Sequence, residues 1–261
     1  MQSSRDKQDS SKYKALILDV DGTIMPNKRR GMPNPKITEM IAKAQKVMHV
    51  CLATSRPYNA ASHIFDHLKL SDYCIVNGGA QIVDMKTRKF VWEQAIDQND
   101  VQAVCDILQN HIQVPFWLND GKKDTFIPPG TPPKQVFQIY ITGKLTNEIA
   151  DSHIKKISHI ANIAAHKVPS WDVGFYDIVV SHALATKQHG IFEIAKLLHI
   201  PTHAIIGVGD GYNDFPLLMA CGLKIAMGNA DPELKTIADY VAPTVTDDGV
   251  ADVISKFVLK S

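Results

Sequence analysis

Four aspartates of this 261-residue chain stand where short apolar runs end. Asp19 and Asp21 follow Ala15-Leu16-Ile17-Leu18, and Asp210 and Asp214 follow the run from Ala204 to Val208. Carboxylates brought into one small volume raise one another's pKa and favour protonation unless a cation sits among them. All the donors are oxygens with no His or Cys attending, which points to a hard ion, with Mg²⁺ as the expected cofactor. Such a site suits phosphoryl transfer, in which the ion neutralises charge on the transferring group. An aspartate can itself be the nucleophile, so that an aspartyl-phosphate divides one difficult displacement into two easier ones. Lys187, at the start of a predicted helix, supplies a fixed positive charge. Thr54 and nearby backbone N–H groups are candidates for the non-reacting phosphate oxygens, with Ser55 and Arg56 directly behind.

These groups converge only if the runs that carry them lie side by side. Ala15 to Leu18 lacks polar alternation, as expected of a central parallel strand covered on both faces. The pattern continues with a helix over Pro35 to Lys46, a strand over Val47 to Ala53, a helix over Tyr58 to Leu68 and a strand over Tyr73 to Val76. This alternation predicts an α/β fold with a doubly wound parallel sheet, whose functional groups gather at the carboxyl ends of the strands. The rhythm breaks at Asn77-Gly78-Gly79. Hairpin-like segments follow (Gln81 to Asp84, Phe90 to Trp92), then helices over Asn99 to His111 and Asn147 to Ser158. Strands are expected over Val114 to Leu118, Gln135 to Ile141, Ile160 to Ala165 and Tyr176 to Val180, with a Pro/Gly-rich connection at Pro128 to Pro133. That mixture reads as a separate α+β module. The parallel rhythm returns near Thr186, with a helix to Leu198, strands over Ala204 to Val208 and Leu223 to Met227, and helices over Pro232 to Ala238 and Val250 to Leu259. The expected organisation is a tail over 1–12, a core of 13–82 and 183–261, and an inserted domain over 83–182.

Composition limits the partners. Hydrophobic residues make up 45% and charged residues 21%, as in an ordinary soluble globular chain. A net charge of +1 provides no field to draw nucleic acid or an anionic membrane, so an anionic substrate must be recognised locally. No run approaches the length of a membrane span, and Met1 to Lys12 lacks the apolar stretch of a signal peptide. The four cysteines form no C-x-x-C pair and read as buried thiols in a reducing cytoplasm.

Asp19-x-Asp21-Gly22-Thr23, Thr54, Lys187 and Gly209-Asp210-x-x-Asn213-Asp214, in that order, resemble the four motifs of the haloacid dehalogenase-like (HAD) hydrolase superfamily. Gly228-Asn229-Ala230 and Asp248-Gly249-Val250-Ala251 are similar to further signatures of its Cof-type phosphatases. The resemblance covers Tyr13 to Leu259. It implies a magnesium-dependent phosphatase acting on a small-molecule phosphate ester, with Asp19 as nucleophile and Asp21 as the acid and then the base. It also implies Lys187 steadying Asp19 and the phosphoryl group, with Gly22, Thr54, Ser55, Arg56 and Asn213 around the substrate. The metal would be held by the Asp19 carboxylate, the Asp21 carbonyl and Asp210, with Asp214 supporting through water. Asp19 and Thr54 lie 35 positions apart and Thr54 and Lys187 lie 133 apart. The insert therefore resembles the α/β cap of the superfamily's second cap class, which covers the pocket and selects the leaving group.

The chain departs from the family pattern at Ser55 and Gln188, where glycine is usual, and at His182, where proline is common. Phosphotransfer or mutase chemistry on sugar phosphates, and a non-enzymatic phosphate-binding protein, are the alternatives. Gly207-x-Gly209 lacks the third glycine of a dinucleotide loop, since Tyr212 stands there. His63 and His67 have no supporting ligand pattern and read as ordinary surface or core residues. Lys28-Arg29-Arg30 reads as a solvated basic run, and Trp171 and Phe175 read as packing residues of the insert.

Overall fold

The computed structural model describes residues 12–28, 30–121, 124–126, 134–170 and 172–259. The expected tail up to residue 11, Arg29, the Pro128 to Pro133 connection and Trp171 lie outside the described residues. The first half of the core runs β1 (Ala15–Leu18), α1 (Pro35–Ala44), β2 (His49–Leu52), α2 (Tyr58–His67) and β3 (Tyr73–Val76). A hairpin of β4 (Gln81–Asp84) and β5 (Lys89–Glu93) leads to α3 (Gln98–Ile107). Next come β6 (Phe116–Asn119), β7 (Asp124–Phe126), β8 (Gln138–Leu145), α4 (Asn147–Ile157), β9 (Ile163–Pro169) and β10 (Tyr176–His182). The chain then forms α5 (Lys187–Leu197), β11 (Ile205–Gly209), α6 (Phe215–Ala220), β12 (Leu223–Ala226), α7 (Pro232–Thr236), β13 (Tyr240–Val241) and α8 (Gly249–Val253).

Five parallel strands form the central sheet in the order β13-β12-β11-β1-β2. All four residues of β1 are buried, as a strand covered on both faces requires. Leu18 pairs with Val208, so the chain leaves β1 at Asp19 beside the end of β11. Residues far apart in sequence thereby meet at one sheet edge. Helix α1 shows how locally consistent the elements are. Asn34 caps it by accepting from the Ile37 N–H, Pro35 opens it, and Ile37, Ile41 and Ala44 face the core.

Strand β3 does not continue the parallel sheet as a full member. It meets β2 through a single parallel bridge, Ala53 to Ile75, and pairs antiparallel with β4. Ile82, Val83 and Met85 pack into the same apolar cluster as β1 and β2. A second cluster lies under the antiparallel sheet β7-β6-β8-β10-β9, where α3 and α4 cover one face against Ile139, Ile141, Ile178 and Val180. Helices α3 and α8 both run on into a five-residue π-helical turn. Among the described residues no helix is long and apolar enough to cross a membrane.

Gly79 sets the loop after β3 against the start of α5. Its φ is +119°, and a Cβ there would lie 2.2 Å from the carbonyl carbon of Thr186, the residue that caps α5 immediately before Lys187. Neither backbone can move cheaply. Gly79→Ala is therefore expected to cost about 2 kcal/mol or more of unfolding free energy, measurable by urea denaturation. A stability equal to wild type would contradict this close approach.

Candidate active site

Lys187 is the first residue of α5, capped by Thr186, and its side chain runs into the sheet edge. Its ammonium donates to Asp19 Oδ1 at 2.5 Å and to Asp214 Oδ1 at 2.6 Å. All three residues are 4% exposed or less. Asp214 Oδ2 accepts from the backbone N–H groups of Asp210 and Gly211, at 2.9 and 3.0 Å. Asp214 thus ties the loop after β11 to Lys187, and Lys187 ties both to the end of β1.

Asp210 lies against the turn that follows β1. Its Oδ1 accepts from the Thr23 hydroxyl at 3.0 Å, and its Oδ2 faces Asn229 Nδ2 at 3.4 Å. Asn229 also donates to the Gly22 carbonyl. A Cβ on Gly22 would lie 2.1 Å from Asp210 Oδ2, so only glycine admits this approach at its φ of +85°. The structure therefore places Gly22 against Asp210.

Asp19, Asp210 and Asp214 offer carboxylate oxygens that all lie within 4.8 Å of one another. Burial and the neighbouring Asp214 push the Asp19 carboxyl up to about 7 even though Lys187 pulls it down. Burial, with Asp19 and Asp214 nearby, also pushes Asp210 well above the usual carboxylate range. Lys187 is held above its ordinary value because the pull of Asp19 and Asp214 outweighs its burial. One ammonium does not balance three crowded carboxylates. Their all-oxygen donor set and residual negative charge fit a hard divalent cation.

The remaining predicted residues frame this centre. Arg56 grips the Asp21 carboxylate with two nitrogens, Nε at 2.7 Å and Nη2 at 2.5 Å, and Nη2 also donates to the Lys28 carbonyl. Arg56 thus fixes the rotamer of Asp21 through a bidentate charged pair. Thr54 is buried and accepts from the Arg56 N–H through Oγ1. Asn213 donates to Ser55 Oγ at 3.1 Å, joining the loop after β11 to the one after β2. His63 and His67 lie on α2, outside this cluster, and His67 meets Thr38. Thr23 and Asn229 also border the site, and they lie within the segments Asp19-x-Asp21-Gly22-Thr23 and Gly228-Asn229-Ala230. His166 of β9 is a further neighbour, and burial followed by the Lys187 charge lowers its imidazole to about 4.

A profile of the haloacid dehalogenase-like hydrolases matches residues 16–168 and 124–254. Phosphoglycolate phosphatase 1 of Saccharolobus solfataricus is 32% identical, over 94% of this chain and 96% of that protein. The 5-amino-6-(5-phospho-D-ribitylamino)uracil phosphatase YcsE of Bacillus subtilis is 24% identical, over 94% of this chain and 96% of its own length. The solved structure of the HAD phosphatase BT1666 from Bacteroides thetaiotaomicron has the same fold, with a TM-score of 0.79 at 22% identity, covering 98% of this chain and 99% of that one.

The charge balance has a consequence for stability. Asp19 titrates near 3.8 when unfolded and near 7 in the fold, so between those values the folded protein holds the extra proton. The associated stability is fully present below about 4 and is lost as pH rises through about 7. Thermal midpoints of metal-free wild type and Asp19→Asn between pH 4 and 8 are expected to show wild type falling relative to the variant. Parallel curves would contradict the raised value.

Proposed function

The chain belongs to the haloacid dehalogenase-like hydrolases and cleaves phosphoric monoesters of small molecules, and we propose that it does so through an aspartyl-phosphate on Asp19, with Mg²⁺ as cofactor. The observation that carries this reading is the Asp19 carboxylate fixed at a strand end by Lys187, with Asp210 beside it. Lys187 takes Asp19 Oδ1, which leaves Oδ2 to attack phosphorus as the bond to the ester oxygen breaks. Asp21, placed by Arg56, lets go of that pair as it takes up a proton from solvent, and gives this proton to the departing oxygen. Asp21 then takes a proton from a water that attacks the aspartyl-phosphate. Cleavage of the bond between phosphorus and Asp19 releases phosphate and restores the carboxylate. Thr54, Ser55, Asn213 and the backbone beside Gly22 surround the non-reacting phosphate oxygens.

Asp19 and Asp210, with the Asp21 carbonyl, would hold the metal. Asp214, whose two oxygens are engaged by Lys187 and by backbone N–H groups, would support them. When bound, the ion supplies charge neutralisation at the phosphoryl oxygens. The segment 83–182 serves as a cap on the core formed by 13–82 and 183–261, excluding water and selecting among small phosphorylated metabolites such as sugar or cofactor phosphates.

Turnover of 4-nitrophenyl phosphate is expected to require added Mg²⁺ and to vanish in Asp19→Asn. Arg56→Met, which frees Asp21 to rotate, is expected to lower kcat roughly a hundredfold, the scale of one positioned proton-transfer group. Unchanged activity in Asp19→Asn would overturn the mechanism, and unchanged kcat in Arg56→Met would remove Arg56 from it.

A further inference from the structure

Neither Gly228-Asn229-Ala230 nor Asp248-Gly249-Val250-Ala251 supplies a reacting group, yet both converge on one junction beside Asp210. The Gly228 N–H donates to the Pro243 carbonyl at 3.2 Å, and the Gly249 N–H donates to the Thr244 carbonyl at 3.0 Å. A Cβ on Gly249 would lie 2.1 Å from the Pro243 carbonyl oxygen, so the two segments close on the same stretch of backbone. On its other side the turn after β12 lies along the loop after β11. Met227 donates its N–H to the Gly209 carbonyl at 3.0 Å, and Asp231 donates to the Asp210 carbonyl at 2.9 Å. Asn229 stands midway between these two anchors.

The Asn229 side chain spans three loops. Its Oδ1 accepts from the Val245 N–H at 2.8 Å. A side-chain amide accepts at one end and donates at the other, so this bond turns Nδ2 toward the Gly22 carbonyl at 2.9 Å and Asp210 Oδ2 at 3.4 Å. Asp210 Oδ1 meets the Thr23 hydroxyl, so each oxygen of that carboxylate faces a donor and its rotation is opposed at both ends. Gly22 is held in the same way. Its N–H donates to the Met25 carbonyl at 2.8 Å while its carbonyl is taken by Asn229. The planar trans peptide before Gly22 then directs the Asp21 carbonyl away from Met25. Asn229 is itself exposed and fills no part of the core, so its contribution lies in these bonds.

We propose that Asn229 is a positioning residue for the divalent cation: oriented by the Val245 N–H, it aligns Asp210 and the Asp21–Gly22 peptide, the groups that with Asp19 would hold the ion. The proposal rests on the metal-dependent reading above. Asn229 acts through Asp210 and Gly22 and touches neither the ion nor the substrate. Hydrogen-bond partners of this kind set metal affinity because ligands already aligned need no reorientation when the ion arrives.

The test titrates metal-free, full-length protein with Mg²⁺ by calorimetry without substrate, and measures in parallel the Mg²⁺ dependence of 4-nitrophenyl phosphate turnover. Asn229→Ala is expected to weaken Mg²⁺ binding about tenfold or more and to raise the half-saturating Mg²⁺ for turnover by the same factor, while KM for the ester at saturating Mg²⁺ holds within about twofold. Val245→Pro keeps the Asn229 side chain and removes only the N–H that orients it. Thr244 already has φ −69° and ψ 165°, the conformation favoured before proline, so the turn accepts this change. It is expected to weaken Mg²⁺ binding in the same direction, and it decides alone should Asn229→Ala fail to fold. A lowered thermal midpoint with Mg²⁺ affinity equal to wild type is the mark of a purely structural brace and overturns the proposal. Unchanged affinity in Val245→Pro, or an Asn229→Ala effect carried by KM for the ester at saturating Mg²⁺, also overturns it while leaving the phosphatase reading intact. A wild type that binds no Mg²⁺ defeats the metal-dependent reading itself, and the proposal with it.

Discussion

A single buried ammonium organises the catalytic end of this molecule. Lys187 is held between Asp19, at the end of one strand, and Asp214, in the loop after the neighbouring strand, while its own backbone begins α5. Charges this deep are tolerated only when paired, and removing one partner of such a group costs several kcal/mol, about 3–5 in measured cases. The pairing therefore does more than position a catalytic group. It fixes how β1, near the start of the chain, meets α5 and the loop after β11, far along it.

The same arrangement is left electrostatically incomplete. Three carboxylates share one ammonium, and the fourth, on Asp21, is taken by Arg56. An excess of buried negative charge lowers stability in the absence of a cation, which is a cost expected at a site built for function. A dianionic phosphate alone would worsen that excess. A divalent ion would offset the two excess charges left by three carboxylates and one ammonium, and would thereby lessen the repulsion that an incoming phosphate meets.

Much of this was legible in the sequence because it depends on local signals. An unbroken apolar run ending in Asp-x-Asp-Gly announces a strand end, and the order of the motifs then places Lys187 and Asp210 at the same edge. The helices α1, α2, α4 and α5 follow their apolar periodicity closely. Strands β7 and β13 were not foreseen, since three and two residues are too short to show a period. The attachment of Arg56 to Asp21 joins two loops across the sheet edge and has no local pattern to announce it.

The account stands on Asp19 as the atom donor to phosphorus, and this can be read chemically. Protein with Asp21→Asn, in which the second half-reaction lacks its base, is mixed with 4-nitrophenyl phosphate and Mg²⁺, quenched and treated with borohydride. Borohydride reduces an acyl phosphate to the alcohol, and peptide mass spectrometry then locates the reduced side chain. The account predicts homoserine at position 19, dependent on substrate. Reduction at Asp21, Asp210 or Asp214, or hydrolysis proceeding with no reduced carboxylate at all, would contradict it.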